Sequence, residues 1–165
     1  SIYETDKFLL NLIMNDLQNT KDKPFVGLHW CHFWVPLFLS VKEYRQIKEL
    51  ATRVNLYALG RGNTKIDKWC AAFWSKQPVH HKIGVDCAAI ADLVIYKDMV
   101  IEVFYPTELK KELDLFYEKA KNIKDLNITY MFEKIFLKPT KINIAIHHNK
   151  ELAAQLKEQT LNYFE

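Results

Sequence analysis

The chain has 165 residues, 49% of them apolar and 26% charged, and a formal net charge of +3. That balance fits one folded domain with a core of its own and excludes a disordered chain. Lysines and glutamates alternate in stretches such as KKELDLFYEKAK, so the mild positive excess reads as solvated helix faces and excludes a nucleic-acid footprint.

No apolar run reaches the ~18 residues that a bilayer span needs, and no signal peptide is visible, so no membrane partner is expected. Cys31, Cys70 and Cys87 are odd in number and form no CxxC pair. They fit buried thiols in a reducing cytoplasm. The chain opens on Ser1, and the expected organisation is an excised domain whose output domain lies elsewhere.

In chain order, Phe8, Leu9, Leu12, Ile13 and Leu17 form an i, i+3, i+4 stripe, which predicts an amphipathic helix over Tyr3 to Asn19. Phe25 to Phe33, bounded by Pro24 and Pro36, reads as a buried strand. Ser40, with Glu43 three residues on, predicts a capped helix through EYRQIKELATR. VNLYAL is a short strand running into the turn cluster Gly60-Arg61-Gly62-Asn63. Ile66, Trp69, Cys70 and Phe73 carry helical spacing. HHKIGVDCAA reads as a strand, although its small residues leave a helix open. DLVIYKDMVIEVFY predicts a hairpin turning at Lys97-Asp98. Pro106 and Thr107 open a helix over Glu108 to Lys121, and Ile128 to Phe136 carries no clear period. INIAIHH is a strand, after which Asn149 caps a final helix, Lys150 to Phe164. Strands alternating with helices, plus one hairpin, indicate an α/β fold with a mixed central sheet flanked by helices. Residues 1–20 are expected to be a connector or dimerisation helix, and residues 24–165 the α/β domain.

Chemistry concentrates in HWCHFW, His29 to Trp34. Imidazole and thiolate suit a transition metal or haem iron, so His29 and Cys31 are candidate metal ligands. On a strand, however, His29 and Cys31 share one face while His32 points to the other. Further ligands would have to come from His80, His81, His147 or His148, and the bland reading is a set of core or pocket-wall residues. The Gly60 to Thr64 turn matches no phosphate-loop pattern, although Arg61 could meet an anion. His80-x-Lys82 with Cys87 where HxKxxxxD needs an acid is a near miss to the phospholipase D motif. GVDCAAIADL resembles the GVDxxLxxDL segment of NYN/PIN-like ribonucleases, but Asp86 and Asp92 alone cannot build their metal site.

DLVIYKDMVIEV, followed downstream by KINIAIHHNKELAAQLKEQTLNYFE, resembles the closing portion of the effector-sensing domains of TrmB-like archaeal winged-helix regulators. VKEYRQIKELATRVNLYALG resembles their helix-strand unit, and also that of DICT-like sensory modules. Those regulator domains have a degenerate phospholipase D-like fold, which the near miss at His80, Lys82 and Asp86 fits. The resemblance covers residues 41–60 and 84–165, and neither PFVGLHWCHFW nor WCAAFW has a counterpart in it. It implies a cytoplasmic, non-catalytic domain that senses a small-molecule effector, forms a homodimer and reaches DNA only through an N-terminal domain absent from this chain. The expected pocket gathers His29, Trp30, Cys31, His32 and Trp34 with Arg61, Asn63, Trp69, Trp74 and His81. A metal- or haem-binding redox sensor and a divalent-metal nuclease are the competing expectations.

Overall fold

Three capping boxes start three of the helices. Ser1, Ser40 and Thr64 each accept a hydrogen bond from a backbone N–H in the first turn, and the Glu4, Glu43 and Asp67 carboxylates accept one from the cap residue's own N–H. This reciprocal pairing satisfies amides that a helix start leaves orphaned. In the computed structural model, which describes all of residues 1–165, these caps open α1 (Ile2–Leu17), α2 (Val41–Arg53) and α3 (Lys65–Trp74). Then α4 (Thr107–Lys119) begins after Pro106, and Asn149 caps α6 (Lys150–Asn162). The stretch without a clear period becomes one α-helical turn, α5 (Ile128–Tyr130), running into a π-helical segment over Met131–Phe136.

Six strands form one sheet: β1 (Phe25–Trp30), β2 (Asn55–Gly60), β3 (Val79–Ile83), β4 (Asp92–Tyr96), β5 (Met99–Phe104) and β6 (Asn143–His148). Their spatial order is β3-β2-β1-β4-β5-β6. The first three run parallel, as strands joined by helical crossovers must, and β4, β5 and β6 continue as an antiparallel ladder. The mixed α/β sandwich expected from the sequence is therefore the architecture found. The Lys97-Asp98 turn is also where it was read, with Lys97 at φ 54°.

Strand alternation sends Val26 and Leu28 to one face, beside Leu56, Ala58, Val94 and Tyr96, and that face carries the main core. Helices α1 to α4 and the π-helical segment all contribute buried apolar residues to it. The stripe of α1 belongs to this core through Ile2, Leu9, Ile13 and Leu17, so the first helix packs on its own sheet. On the opposite face α6 sets Ala153 and Leu156 against Phe25, Ile95 and Val100, and the loop after β3 packs Cys87 and Ala88 on Leu59.

Two strands are shorter than the sequence indicated. β1 stops at Trp30, three residues before Phe33, and β3 stops at Ile83. Gly84 (φ 70°) and Ala88 (φ 50°) then adopt left-handed backbone, which no strand can continue through.

Candidate functional site

The aromatic run leaves the sheet because carboxylates, not a neighbouring strand, satisfy its backbone. Arg61 N–H donates to Trp30 O (2.9 Å) and Gly62 N–H to Cys31 O (2.8 Å), which carries the β1–β2 pairing one step past the strand ends. Beyond that, Cys31 N–H donates to Asp92 Oδ1 (2.8 Å) and Phe33 N–H to Asp67 Oδ1 (3.0 Å). The alternation predicted for His29 to Trp34 therefore holds only to Trp30. Cys31, Phe33 and Trp34 all join the same core.

Each candidate ligand in the run has its own partner. His29 faces α6, where its Nε2 lies 2.8 Å from the Thr160 hydroxyl, and burial lowers its pKa to about 4, keeping the ring neutral. The Cys31 thiol lies 3.9 Å from Asp92 Oδ2, and burial followed by the nearby carboxylates pushes it up. His29 and Cys31, expected to share a metal or haem, turn to different partners here, Thr160 and Asp92. No group of three or more His, Cys, Asp or Glu side chains is placed to hold a metal ion. His32 bridges two helices, with Nδ1 3.1 Å from both Asp67 oxygens and Nε2 3.1 Å from Asp114 Oδ1, and it stacks on Tyr117 at 4.1 Å. A Cβ on Gly62 would collide with both His32 and Asp67, so only glycine fits where the β2 turn passes them.

A largely apolar concavity, one of several on the molecule, lies on the helical face of the sheet between α1 and α2. It is a cavity of about 110 Å³ whose lining is apolar at fifteen of eighteen residues. Leu28, Trp30, Leu56 and Val94 form the floor, α1 supplies Leu9, Leu10 and Ile13, and α2 supplies Ile47 and Leu50. Trp34, Val35, Phe38 and Leu39 of the β1–α2 loop and Trp74 of α3 complete it.

Asp6, Lys7 and Glu43 are its three charged residues, and the Tyr3 hydroxyl joins them on the same side. Tyr3 Oη donates to Glu43 Oε1 (2.6 Å) and Lys7 Nζ sits 3.7 Å from the same oxygen, tying α1 to α2. Asp6 accepts the Trp34 indole N–H on Oδ2 at 2.5 Å, while its other oxygen has no hydrogen-bond partner. Burial raises the Asp6 carboxyl to about 7, the indole N–H opposes that rise, and the neighbouring Asp92 adds to it. Burial raises Asp92 to about 7 as well, against the Cys31 amide, which lowers it. The Tyr105 hydroxyl is buried near both carboxylates with no hydrogen bond of ordinary geometry, and burial, then Asp92 and Asp6, pushes its pKa up.

Of the ten residues expected in the pocket, Trp30, Trp34 and Trp74 line this cavity. Arg61 is exposed and reaches Ala89 O (3.4 Å), Asn63 packs beside Gly84, Trp69 is 41% exposed on the outer side of α3, and His81 Nε2 lies 3.4 Å from Ser75 Oγ. The histidine pairs do not converge either: His80 stacks on Tyr57, His147 meets Glu102 and His148 meets Asp98. Asp86 is exposed in the loop after β3 while Asp92 is buried at the start of β4. The sequence reading passed over Tyr3, Asp6 and Glu43. One signal was available, a carboxylate at position 6 inside the apolar stripe of α1, where a solvated helix face would not put it.

Fold and cavity together define a single α/β domain with an apolar, helix-covered pocket beside its sheet. No family model and no curated protein matches the chain.

Proposed function

We propose that this chain is a non-catalytic sensory domain that binds a small apolar effector in the cavity between α1, α2 and the sheet. The observation that carries this reading is the cavity itself: an apolar chamber of about 110 Å³ with a few polar groups confined to one side, the usual design of a small-molecule site. A ligand that fills it takes apolar wall out of water and gives those side chains packing partners on their open side. The effector is small. At about 110 Å³ it is smaller than the ~150 Å³ engineered cavity that takes benzene, so a short branched chain fits as it stands and a single ring requires the α1 wall to give slightly.

Effector occupancy would act on α1, whose stripe forms one wall and whose rim residues tie it to α2. A ligand that binds one arrangement of α1 better than another biases the equilibrium between them, which is the minimum a switch requires. In a transcription regulator of the kind the sequence resembles, α1 would pass that bias to a DNA-binding domain outside this chain.

The test is calorimetry and thermal denaturation with single-ring apolar probes such as indole and ethylbenzene, on the wild-type chain and on Leu10→Trp, which fills the cavity from the α1 side. Saturable binding to the wild type, a raised Tm, and loss of both in a folded Leu10→Trp variant support the proposal. Absence of binding to the wild type at millimolar probe sinks it.

A further inference from the structure

We propose that Asp6, Tyr105 and Asp92 form a proton-held latch between α1 and the sheet, in which the Asp6 carboxyl donates to the Tyr105 hydroxyl and that hydroxyl donates to Asp92. The inference goes beyond the effector-binding reading and holds whether or not the cavity takes a ligand.

Three elements meet at this point. Asp6 comes from α1, Asp92 opens β4, and Tyr105 follows the end of β5. Trp34 joins them, since its indole N–H donates to Asp6 Oδ2 and its ring packs edge-on against Tyr105 at 6.1 Å. Neither carboxyl takes part in an ion pair. Asp6 Oδ1 and Tyr105 Oη are the buried side-chain polar atoms left without a hydrogen bond, and Tyr105 feels the charge of both carboxyls. Orphans of this kind are rare and call for an explanation. Two ionised carboxylates could only accept, which would leave one phenolic proton for two acceptors and set like charges together with no cation between them. A carboxyl that keeps its proton is a donor, and the set then closes: Asp6 O–H to Tyr105 Oη, Tyr105 O–H to Asp92. Asp92 is the better seat for the remaining charge. Cys31 N–H already donates to it at 2.8 Å, and Tyr105 and Lys110 both favour its ionised form. Asp6 has the Trp34 indole N–H alone.

The surrounding titratable groups are engaged elsewhere. On α1, Lys7 turns to Glu43 of α2. On α4, Lys110 is held by Ala89 O at 2.8 Å and Asp114 by His32, which also takes Asp67 of α3. The Cys31 and Cys87 thiols and the Tyr117 hydroxyl are all pushed up by burial and stay neutral. Burial raises both latch carboxyls to about 7, against ~3.9 for an aspartate in water. Lifting α1 off the sheet returns Asp6 to water, so the open form gives up its proton first. The latch therefore weakens as pH rises from ~4 and is loosest once the closed pair has ionised, above about 7. Because the two carboxyls interact, their protons leave in steps that belong to the pair.

The test follows the Asp6 and Asp92 carboxyl ¹³C resonances of the wild-type chain from pH 3 to 9, with amide exchange along α1 at pH 5 and pH 8 corrected for intrinsic rates. Both resonances should report the same two steps, and α1 should open about tenfold or more readily at pH 8 than at pH 5, relative to the β5 amides. Asp6→Asn carries an amide that donates to Tyr105 at every pH, so its α1 should stay closed at both. Two independent single steps, or an Asp6 step at the ordinary ~3.9, would overturn the latch. So would a pH dependence of α1 exchange that Asp6→Asn leaves intact. The resonances decide the matter even if the variant fails to fold.

Discussion

His29, Asp6 and Asp92 show how burial sets charge at single positions, and in opposite directions. An unfolded histidine titrates near ~6.5, whereas His29 in the fold titrates at about 4 because burial disfavours the charged ring. Between those values the unfolded chain holds the extra proton, so stability rises with pH through that window and is lost as pH falls. The full effect is about 3 kcal/mol at ~1.36 kcal/mol per pKa unit. Asp6 and Asp92 act with the reverse sign. Their carboxyls are raised to about 7 by burial, so the folded state holds the extra proton between roughly 4 and 7, and stability falls as pH rises through that range. The two trends partly cancel in the wild type, and single variants separate them. His29→Gln should gain on the wild type in urea midpoint at pH 5 relative to pH 7.5. Asp6→Asn should gain at pH 8 relative to pH 5. A pH-independent difference for either variant would contradict the burial assigned to that residue.

Helix caps were the most legible elements, because a cap is a local contract between residues three apart and needs nothing from the rest of the fold. Ser40 with Glu43 and Asn149 with its first turn could be read directly, and the structure uses both. The end of β1 could not be read this way. Phe33 and Trp34 are as apolar as the strand before them, and what stops the strand is remote: Asp92, 61 positions from Cys31, and Asp67, 34 positions from Phe33, take the backbone N–H groups. For the same reason the cavity was legible only in its tryptophans, while the α1 and α2 residues that complete it are assembled by packing. Asp67 carries a further consequence. It closes the cap of α3 through Thr64 and also holds Phe33 N–H and His32. Burial alone would raise its carboxyl, but His32 and Thr64 together hold it below the ordinary value. Thr64→Ala should therefore cost about 1 kcal/mol, as a lost cap does. Asp67→Ala should cost about 3 kcal/mol or more, since it leaves buried donors from two elements unpaired. Urea denaturation of both variants decides this. Equal costs would mean that Asp67 serves only the helix cap.

At the scale of the molecule, the six-stranded sheet separates two unequal layers. One face carries α1 to α4, the π-helical segment and the cavity, and the other carries α6 with the Val85–Ala88 loop beside it. β1 takes part in both, since Trp30 lines the cavity while its neighbour His29 bonds to Thr160 of α6. Two further ties hold α6 near the β3 end of the sheet, the Tyr163 hydroxyl to Asp86 O (2.9 Å) and Lys82 to Tyr163 O. None of these three ties reaches the cavity. The sheet between the layers is a continuous hydrogen-bonded ladder, and its strands exchange their amides only by large openings. A ligand in the cavity therefore touches α1 and α2 directly and meets α6 only through that ladder. Amide hydrogen exchange measured with and without ethylbenzene should show slowed exchange across the α1 residues facing the cavity and the first turns of α2, with α6 unchanged. The effect should be largest near Tyr3, Lys7 and Glu43, where the two helices are tied together at the rim. Equal protection of α6 would mean that the two layers move as one unit, and α1 could then not serve as the separate switch element that the sensory reading requires.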